Sequence, residues 1–223
     1  MIDSLQSTLN YFYGLPLWEL LAVISALFYV VLAAKENIWC WPAALVSTVI
    51  YTVIFYDVYL WMDAVLQVYY LVMAIFGWYC WRKISPSASY VPNRNAHSST
   101  LDIQSWPLIF HIKIILLLTA CSLATGWLMD NYTPTDFPYL DSATTVFAVF
   151  ATYLVTKKIL ENWLYWIAID LVSIYLYIEK GLQPTVVLFC LYVVIAIAGY
   201  VIWLGKYQKN NHQSNGNIAS ATQ

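Results

Sequence analysis

The segment from residue 163 to residue 173 carries the side chains whose chemistry is most informative. Trp163, Trp166, Asp170 and Ser173 follow one another at steps of three, four and three, which places them on one face of a helix. Aromatic faces attract cations by about 0.5–2 kcal/mol per contact, and a carboxylate supplies the opposite charge. The pattern predicts a site for a flat cation. The structural alternative makes the tryptophans interfacial and Asp170 a helix–helix contact.

A second polar stripe begins at residue 63. Gln67 lies deep enough in an apolar segment to need a hydrogen-bond partner, which is either a ligand or a neighbouring helix. Asp63 lies nearer the end of the segment and is a weaker site candidate. The stripe recurs at alternating steps of four and three and consists of Asp63, Gln67, Tyr70, Ala74, Gly77 and Trp81.

The composition shows what must position these residues. Of the 223 residues, 61% are hydrophobic and 10% are charged, whereas a soluble domain carries about 25% charged residues. A bilayer core of about 30 Å needs about 20 apolar residues per helix. The sequence therefore predicts an all-α membrane protein with seven transmembrane helices, at residues 17–34, 38–56, 60–81, 106–128, 140–155, 163–179 and 185–205.

The basic residues predict the orientation. Seven crossings place Lys180 alone on one side. The opposite side receives Lys35, Arg82, Lys83, Arg94, Lys157, Lys158, Lys206 and Lys209. Because basic loops stay in the cytoplasm, the N-terminus is predicted outside and the C-terminus inside. The net charge of −2 and the lack of a basic patch argue against nucleic acid as a partner. No sequence motif for catalysis, metal or cofactor binding occurs, so an enzyme is not expected.

An internal repeat organises the spans. The sequence after the first span resembles that after the fifth at a shift of 125 residues, through Glu36-Asn37 and Glu161-Asn162 and through Trp41 and Trp166. Spans three and seven match at a shift of 122. The pairs there are Val65/Val187, Leu66/Leu188, Tyr70/Tyr192, Val72/Val194, Ala74/Ala196, Ile75/Ile197, Gly77/Gly199 and Trp81/Trp203. The paired tyrosines are expected to face one central space, and the paired glycines to allow close helix packing.

This duplication predicts a parallel repeat of three plus one plus three helices, with a substrate between the two copies. Residues 1–81 would form the N-terminal three-helix unit, and residues 82–139 a cytoplasmic linker and a connecting helix. Residues 140–205 would form the C-terminal unit, and residues 206–223 a disordered cytoplasmic tail.

The sequence resembles the PnuC-type bacterial vitamin transporters over residues 17–205. The resemblance rests on the motifs Glu36-Asn37, Leu66-Gln67, 77–81 (GWYCW), Asp141-Ser142 and 161–170 (ENWLYWIAID). It implies a SWEET-like fold in the bacterial inner membrane, in contact with lipid, and uptake of a small vitamin by facilitated diffusion, with phosphorylation trapping the product. It leaves homo-oligomerisation open. The implied substrate-binding residues are Trp163, Trp166, Asp170, Gln67, Asn162, Tyr70 and Tyr192.

The resemblance leaves the vitamin open. Asp170 stands where the nicotinamide riboside carriers have Asn, and it is similar to the thiamine-transporting branch, so thiamine is the expected substrate. Nicotinamide riboside is the alternative, and both are flat aromatic cations. A second alternative is a proton-coupled symporter that uses Asp170.

Overall fold

The structure is a computed structural model that describes residues 16–57, 61–82, 101–134 and 136–221. These residues form seven helices, and each matches a predicted span to within a few residues at its start. The helices are α1 (Leu17–Ala34), α2 (Cys40–Asp57), α3 (Trp61–Arg82), α4 (Leu108–Tyr132), α5 (Pro138–Thr156), α6 (Asn162–Glu179) and α7 (Gln183–Ala221).

Five of the helices are long and apolar enough to cross a membrane: α1, α2, α3, α4 and α7. The helices α5 and α6 fall short on this measure, and they bury more residues than α1, α2 or α4 do. A helix that turns more of its surface toward other helices needs fewer apolar side chains. The polar residues of α6, which made its sequence informative, also lower its apolarity.

Two extramembrane segments differ from prediction. The helix α7 continues to Ala221, so residues 206–221 are helical where their composition predicted a disordered tail. Extending a formed helix adds a hydrogen bond per residue, and no proline follows Pro184 to stop it. The predicted linker falls mostly on residues 83–100, which lie outside the described residues. Its last part, residues 101–105, is tied to the turn between α5 and α6.

That tie consists of backbone and side-chain contacts. The amide of Gln104 donates to the carbonyl of Lys158 at 3.0 Å, and its carbonyl accepts from the amide of Leu160 at 2.8 Å. Ile103 is buried, and Ser105 donates to the carboxylate of Glu161. Apolar and polar residues alternate from Leu101 to Gln104, which is the sequence signal that would have predicted this short extended segment.

The helix contacts close a ring of six helices, with α4 packed outside it against α5. Around the ring, α1 contacts α2, α2 contacts α3, α3 contacts α5, α5 contacts α6, α6 contacts α7, and α7 returns to α1. The two contacts that join the halves, α3 with α5 and α7 with α1, are equivalent under exchange of the halves. The interior of this ring is where a site between the halves would lie.

The same packing occurs twice, 122 residues apart. The Trp41 ring lies against Gly77, and the Trp163 ring lies against Gly199, where a Cβ atom would come within 2.8 Å of it. These contacts confirm the prediction that the two glycines permit close helix packing. They also correct the register proposed for the second helices, because Trp41 is the structural counterpart of Trp163 and not of Trp166.

The tryptophans at the ends of α3 and α7 join the halves reciprocally. The indole nitrogen of Trp81 donates to the carbonyl of Val155 at 3.2 Å, and that of Trp203 donates to the carbonyl of Ala33 at 3.2 Å. Ala33 and Val155 are themselves 122 residues apart. Such reciprocal contacts are what a twofold relation between two units produces.

An ion cluster lies beside these tryptophans. Lys158 Nζ lies 2.9 Å from the Glu36 carboxylate and Lys206 Nζ lies 2.8 Å from it. Glu36 and Lys158 both have positive φ, at 57° and 52°, and they also occupy equivalent positions. Burial alone would raise the pKa of Glu36, but the two lysines outweigh burial and hold that pKa below its ordinary value. The cluster brings together basic residues that the sequence placed on one side of the membrane, whereas Lys180 pairs with Asp141 at 3.3 Å elsewhere.

Candidate functional site

A cavity of about 320 Å³ lies inside the six-helix ring. Its volume falls in the usual range for small-molecule sites, about 300–1,000 Å³. Six of the seven sequence-predicted site residues line it, namely Trp163, Trp166, Asp170, Gln67, Tyr70 and Tyr192. The other lining residues are Ala26, Tyr29, Val30, Ala33, Val155, Phe189 and Ala196. The structure thus brings the polar stripes of α3 and α6 together, while their contact with a substrate stays a prediction.

Among the described residues that line this cavity, Asp170 is the one carboxylate. The residue is 4% exposed. Within the part of the chain that the structure describes, its side chain makes no hydrogen bond and no ion pair. A buried carboxylate without a partner is costly at membrane depth, so such groups normally serve a ligand or an ion. The helix–helix contact that would explain Asp170 structurally is not found among the described residues.

The two tryptophans of α6 have different surroundings. Trp163 is 2% exposed and packs edge-to-face on Trp203, with ring centroids 5.5 Å apart. Gly199 leaves room for the Trp163 ring because it has no side chain. Trp166 is half-buried and lines a second cavity as well as the first. Trp163 is therefore fixed within the packed core, while Trp166 offers more of its surface to the space between the halves.

Gln67 lies where the two cavities meet, since it lines both. No hydrogen bond to its amide occurs among the residues that the structure describes. The interhelical bond that would explain Gln67 structurally is thus missing there. Tyr70 also lines both cavities, and Tyr192 lines the larger one, where it packs edge-to-face on Phe189 at 5.6 Å. Both paired tyrosines therefore line the larger cavity, while contact of either with a substrate stays a prediction.

Asn162 is the exception among the predicted site residues. It lines neither cavity and is fully buried. Its amide nitrogen donates to the carbonyl of Ile159 at 2.6 Å, which fastens the turn that leads into α6. As the first residue of that helix, Asn162 stabilises the turn that leads into the site and does not reach the cavity.

Sequence reasoning missed the contribution of α1. Tyr29 lines both cavities and its ring lies 6.0 Å from that of Trp41. It sits in a helix that is apolar at nearly every position, so no periodic polar signal marks it. Phe189 was missed for a related reason, because it stands at the position in α7 that corresponds to Gln67 in α3 and carries no polar group.

The smaller cavity measures about 190 Å³. It lies on the side of α2 and shares Ala26, Tyr29, Gln67, Tyr70 and Trp166 with the larger one. Its further lining residues are Trp41, Ala44, Ser47, Thr48, Tyr51, Ala74 and Thr152. Its polar groups are hydroxyls, two indoles and an amide, and none of the described residues that line it is a carboxylate or a cation.

Comparison with known proteins identifies relatives over most of the chain. The sequence model of the family described as "Nicotinamide mononucleotide transporter" matches residues 16–205. The nicotinamide riboside transporter PnuC of Escherichia coli is 24% identical over 217 residues, with 91% of each chain covered. PnuC of Neisseria mucosa is 21% identical over 199 residues, covering 86% of this chain and 73% of that one. A crystal structure of the vitamin B3 transporter PnuC is similar with a TM-score of 0.65 and 18% identity, covering 93% of this chain and 90% of that one.

Proposed function

The chain belongs to the nicotinamide mononucleotide transporter family, and we propose that it takes up a cationic aromatic vitamin across the bacterial inner membrane by facilitated diffusion. The observation that carries the proposal is the buried, unpartnered Asp170 carboxylate beside Trp163 and Trp166 in one cavity. A flat aromatic cation would supply the missing charge and stack on the indole faces. The apolar helices and the transporter relatives make the chain a multi-pass membrane protein.

Nicotinamide riboside is the substrate that we favour. The relatives in E. coli and N. mucosa are named as its transporters, and its pyridinium ring is a permanent flat cation. The sequence-based preference for thiamine finds no support in these comparisons. Thiamine stays a second candidate for one reason, which is that Asp170 could accept hydrogen bonds from an aminopyrimidine as well as neutralise a cation.

The proposed architecture is a parallel repeat of three plus one plus three helices, with α1–α3 and α5–α7 as the two units and α4 as the connection. Support comes from the reciprocal bonds of Trp81 and Trp203 and from the matched packing of Trp41 and Trp163. We propose seven crossings, with the N-terminus outside, so that the Glu36 cluster closes the cytoplasmic end. Rocking of the two units about the cavity would then open each end in turn.

The substrate's charge provides the driving force in this proposal. A monovalent cation gains about 2.3 kcal/mol per 100 mV of inside-negative potential, which is about fiftyfold accumulation. No coupled ion is then required, and cytoplasmic phosphorylation would trap the product. A proton-coupled symporter that uses Asp170 is the mechanistic alternative, and it would acidify the interior with every turnover.

Uptake by purified protein in liposomes tests the proposal. Labelled nicotinamide riboside should enter faster when a potassium gradient and valinomycin make the interior negative, and an internal pH dye should report no acidification. A rate of uptake that does not depend on the membrane potential would contradict transport of the cation. Acidification that depends on substrate would support the symporter instead. Absence of saturable uptake of both nicotinamide riboside and thiamine would remove the proposed function.

A further inference from the structure

The smaller cavity has a chemistry that the proposed site does not yet use. It adjoins the larger cavity through Gln67, Tyr70 and Trp166, which line both. Its own polar groups come mainly from α2, where Ser47 and Thr48 lie at its wall. Both of these residues are buried, at 5% and 8% exposure.

The hydroxyl of Ser47 has no hydrogen bond to any residue that the structure describes. Its oxygen is not fully enclosed by protein atoms. Because Ser47 lines the smaller cavity, the hydroxyl is open to that cavity. Buried polar groups normally have partners, and an open one calls for an explanation. Thr48 donates to the carbonyl of Ala44 at 2.8 Å, which leaves its oxygen able to accept a hydrogen bond from a ligand.

The two cavities differ most at equivalent positions. Thr48 in α2 stands 122 residues before Asp170 in α6, and each lines the cavity of its own half. Ala44 corresponds in the same way to Trp166. One half therefore offers a carboxylate and an extra indole, which suit a flat cation, while the other offers uncharged hydroxyls in a narrower space. Gln67 lies between them, and its amide makes no hydrogen bond to a residue that the structure describes.

We infer that the smaller cavity is the subsite for the uncharged, hydroxyl-bearing part of the substrate, with Ser47 and Thr48 as its specificity-determining residues. This inference rests on the proposed function. The substrate lies across the junction of the two cavities, its aromatic cation beside Asp170 and Trp166 and its polyol part between α2 and α3. Substrates are then selected by two separate interactions, one that recognises positive charge and one that recognises hydroxyl groups.

Calorimetric measurement of binding to the purified full-length protein separates these two interactions. The probes are nicotinamide riboside, which has the ribose, and 1-methylnicotinamide, which has the same cationic ring without it. The variant Ser47→Ala/Thr48→Val removes both hydroxyls with little change in volume. It should weaken binding of nicotinamide riboside about tenfold, since the hydrogen bonds of two hydroxyls to the ribose are lost, and leave the affinity for 1-methylnicotinamide within about twofold.

Thr52→Val is the matched control. Its hydroxyl donates to the carbonyl of Thr48 at 2.6 Å one turn further along α2, and it lines neither cavity. It should leave both affinities unchanged. Unchanged binding of nicotinamide riboside to the double variant, or equal weakening for both probes in a variant that melts like the wild type, would overturn the subsite. Failure of the wild type to bind both of these probes would overturn nicotinamide riboside as the substrate, and the subsite with it, and failure to bind thiamine as well would overturn the proposed function.

Discussion

The α1–α3 half and the α5–α7 half share a framework and differ in what they turn toward the ring interior. Trp41 and Trp163 pack on glycines in the same way, and Trp81 and Trp203 make equivalent bonds across the boundary. Three other pairs of equivalent positions carry different residues in the two halves. They are Glu36/Lys158, Ala44/Trp166 and Thr48/Asp170. The paired residues of the helix-packing framework are thus identical in the two halves, as are Tyr70 and Tyr192 at the cavities, whereas these three pairs are not.

The largest expected effect comes from the buried Glu36–Lys158 pair. Glu36→Gln leaves Lys158, whose side chain is 4% exposed, without its carboxylate. Breaking a buried pair in this way costs about 3–5 kcal/mol. Lys158→Gln should be milder, because Glu36 keeps Lys206 at 2.8 Å. Thermal unfolding in detergent measures both variants. Equal melting temperatures of the two variants would contradict the expected difference between them. A wild-type melting temperature of Glu36→Gln would contradict the structural role of the cluster.

The next effect tests the shared framework. Gly77→Ala and Gly199→Ala should each lower stability by about 1–3 kcal/mol, since a methyl group would overlap the Trp41 or the Trp163 ring. Gly205→Ala is the matched control, because a Cβ there meets nothing within 4 Å. Chemical unfolding curves of the three variants provide the comparison. A harmless substitution at either Gly77 or Gly199 would break the equivalence of the halves.

A smaller effect tests one of the divergent positions. Trp166→Ala should weaken binding of nicotinamide riboside about two- to thirtyfold, which corresponds to a cation–π contribution of about 0.5–2 kcal/mol. Trp127 on α4 is 54% exposed and lines neither cavity, so Trp127→Ala should bind like the wild type. Equilibrium titration of both variants gives the result. Equal losses would mean that the indole acts through overall stability.

The smallest effect is a decline of stability in acid. The lysines hold the pKa of Glu36 below its ordinary value of 4.5, so its contribution is complete above that value and is lost as pH falls through the lowered pKa. Melting temperatures between pH 7 and pH 3 should therefore fall less steeply in Glu36→Gln than in the wild type. Parallel pH profiles would rule out Glu36 as a source of the acid sensitivity.

The sequence predicted the helices well because their signals are local. Apolar length and periodicity locate the spans, and spacing alone put Trp163, Trp166 and Asp170 on one face. It predicted less where the answer depends on a neighbour. Tyr29 joins the site only because α1 packs between α2 and α7. Asn162 does not reach the cavity because its amide nitrogen bonds to the preceding turn. Contacts also decided between the registers of 122 and 125, because the residues near the starts of α2 and α6 are similar enough to be aligned in either register.

The claim that a carboxylate in the cavity selects for positive charge has a direct test. Nicotinamide riboside and its reduced form have nearly the same shape, but only the first carries the ring charge. Binding of both to the wild type and to Asp170→Asn, each checked for an unchanged melting temperature, gives four affinities. We predict that the wild type prefers the cation at least tenfold, about 1.4 kcal/mol, and that Asp170→Asn loses this preference. An equal preference in the two proteins would contradict the role of Asp170.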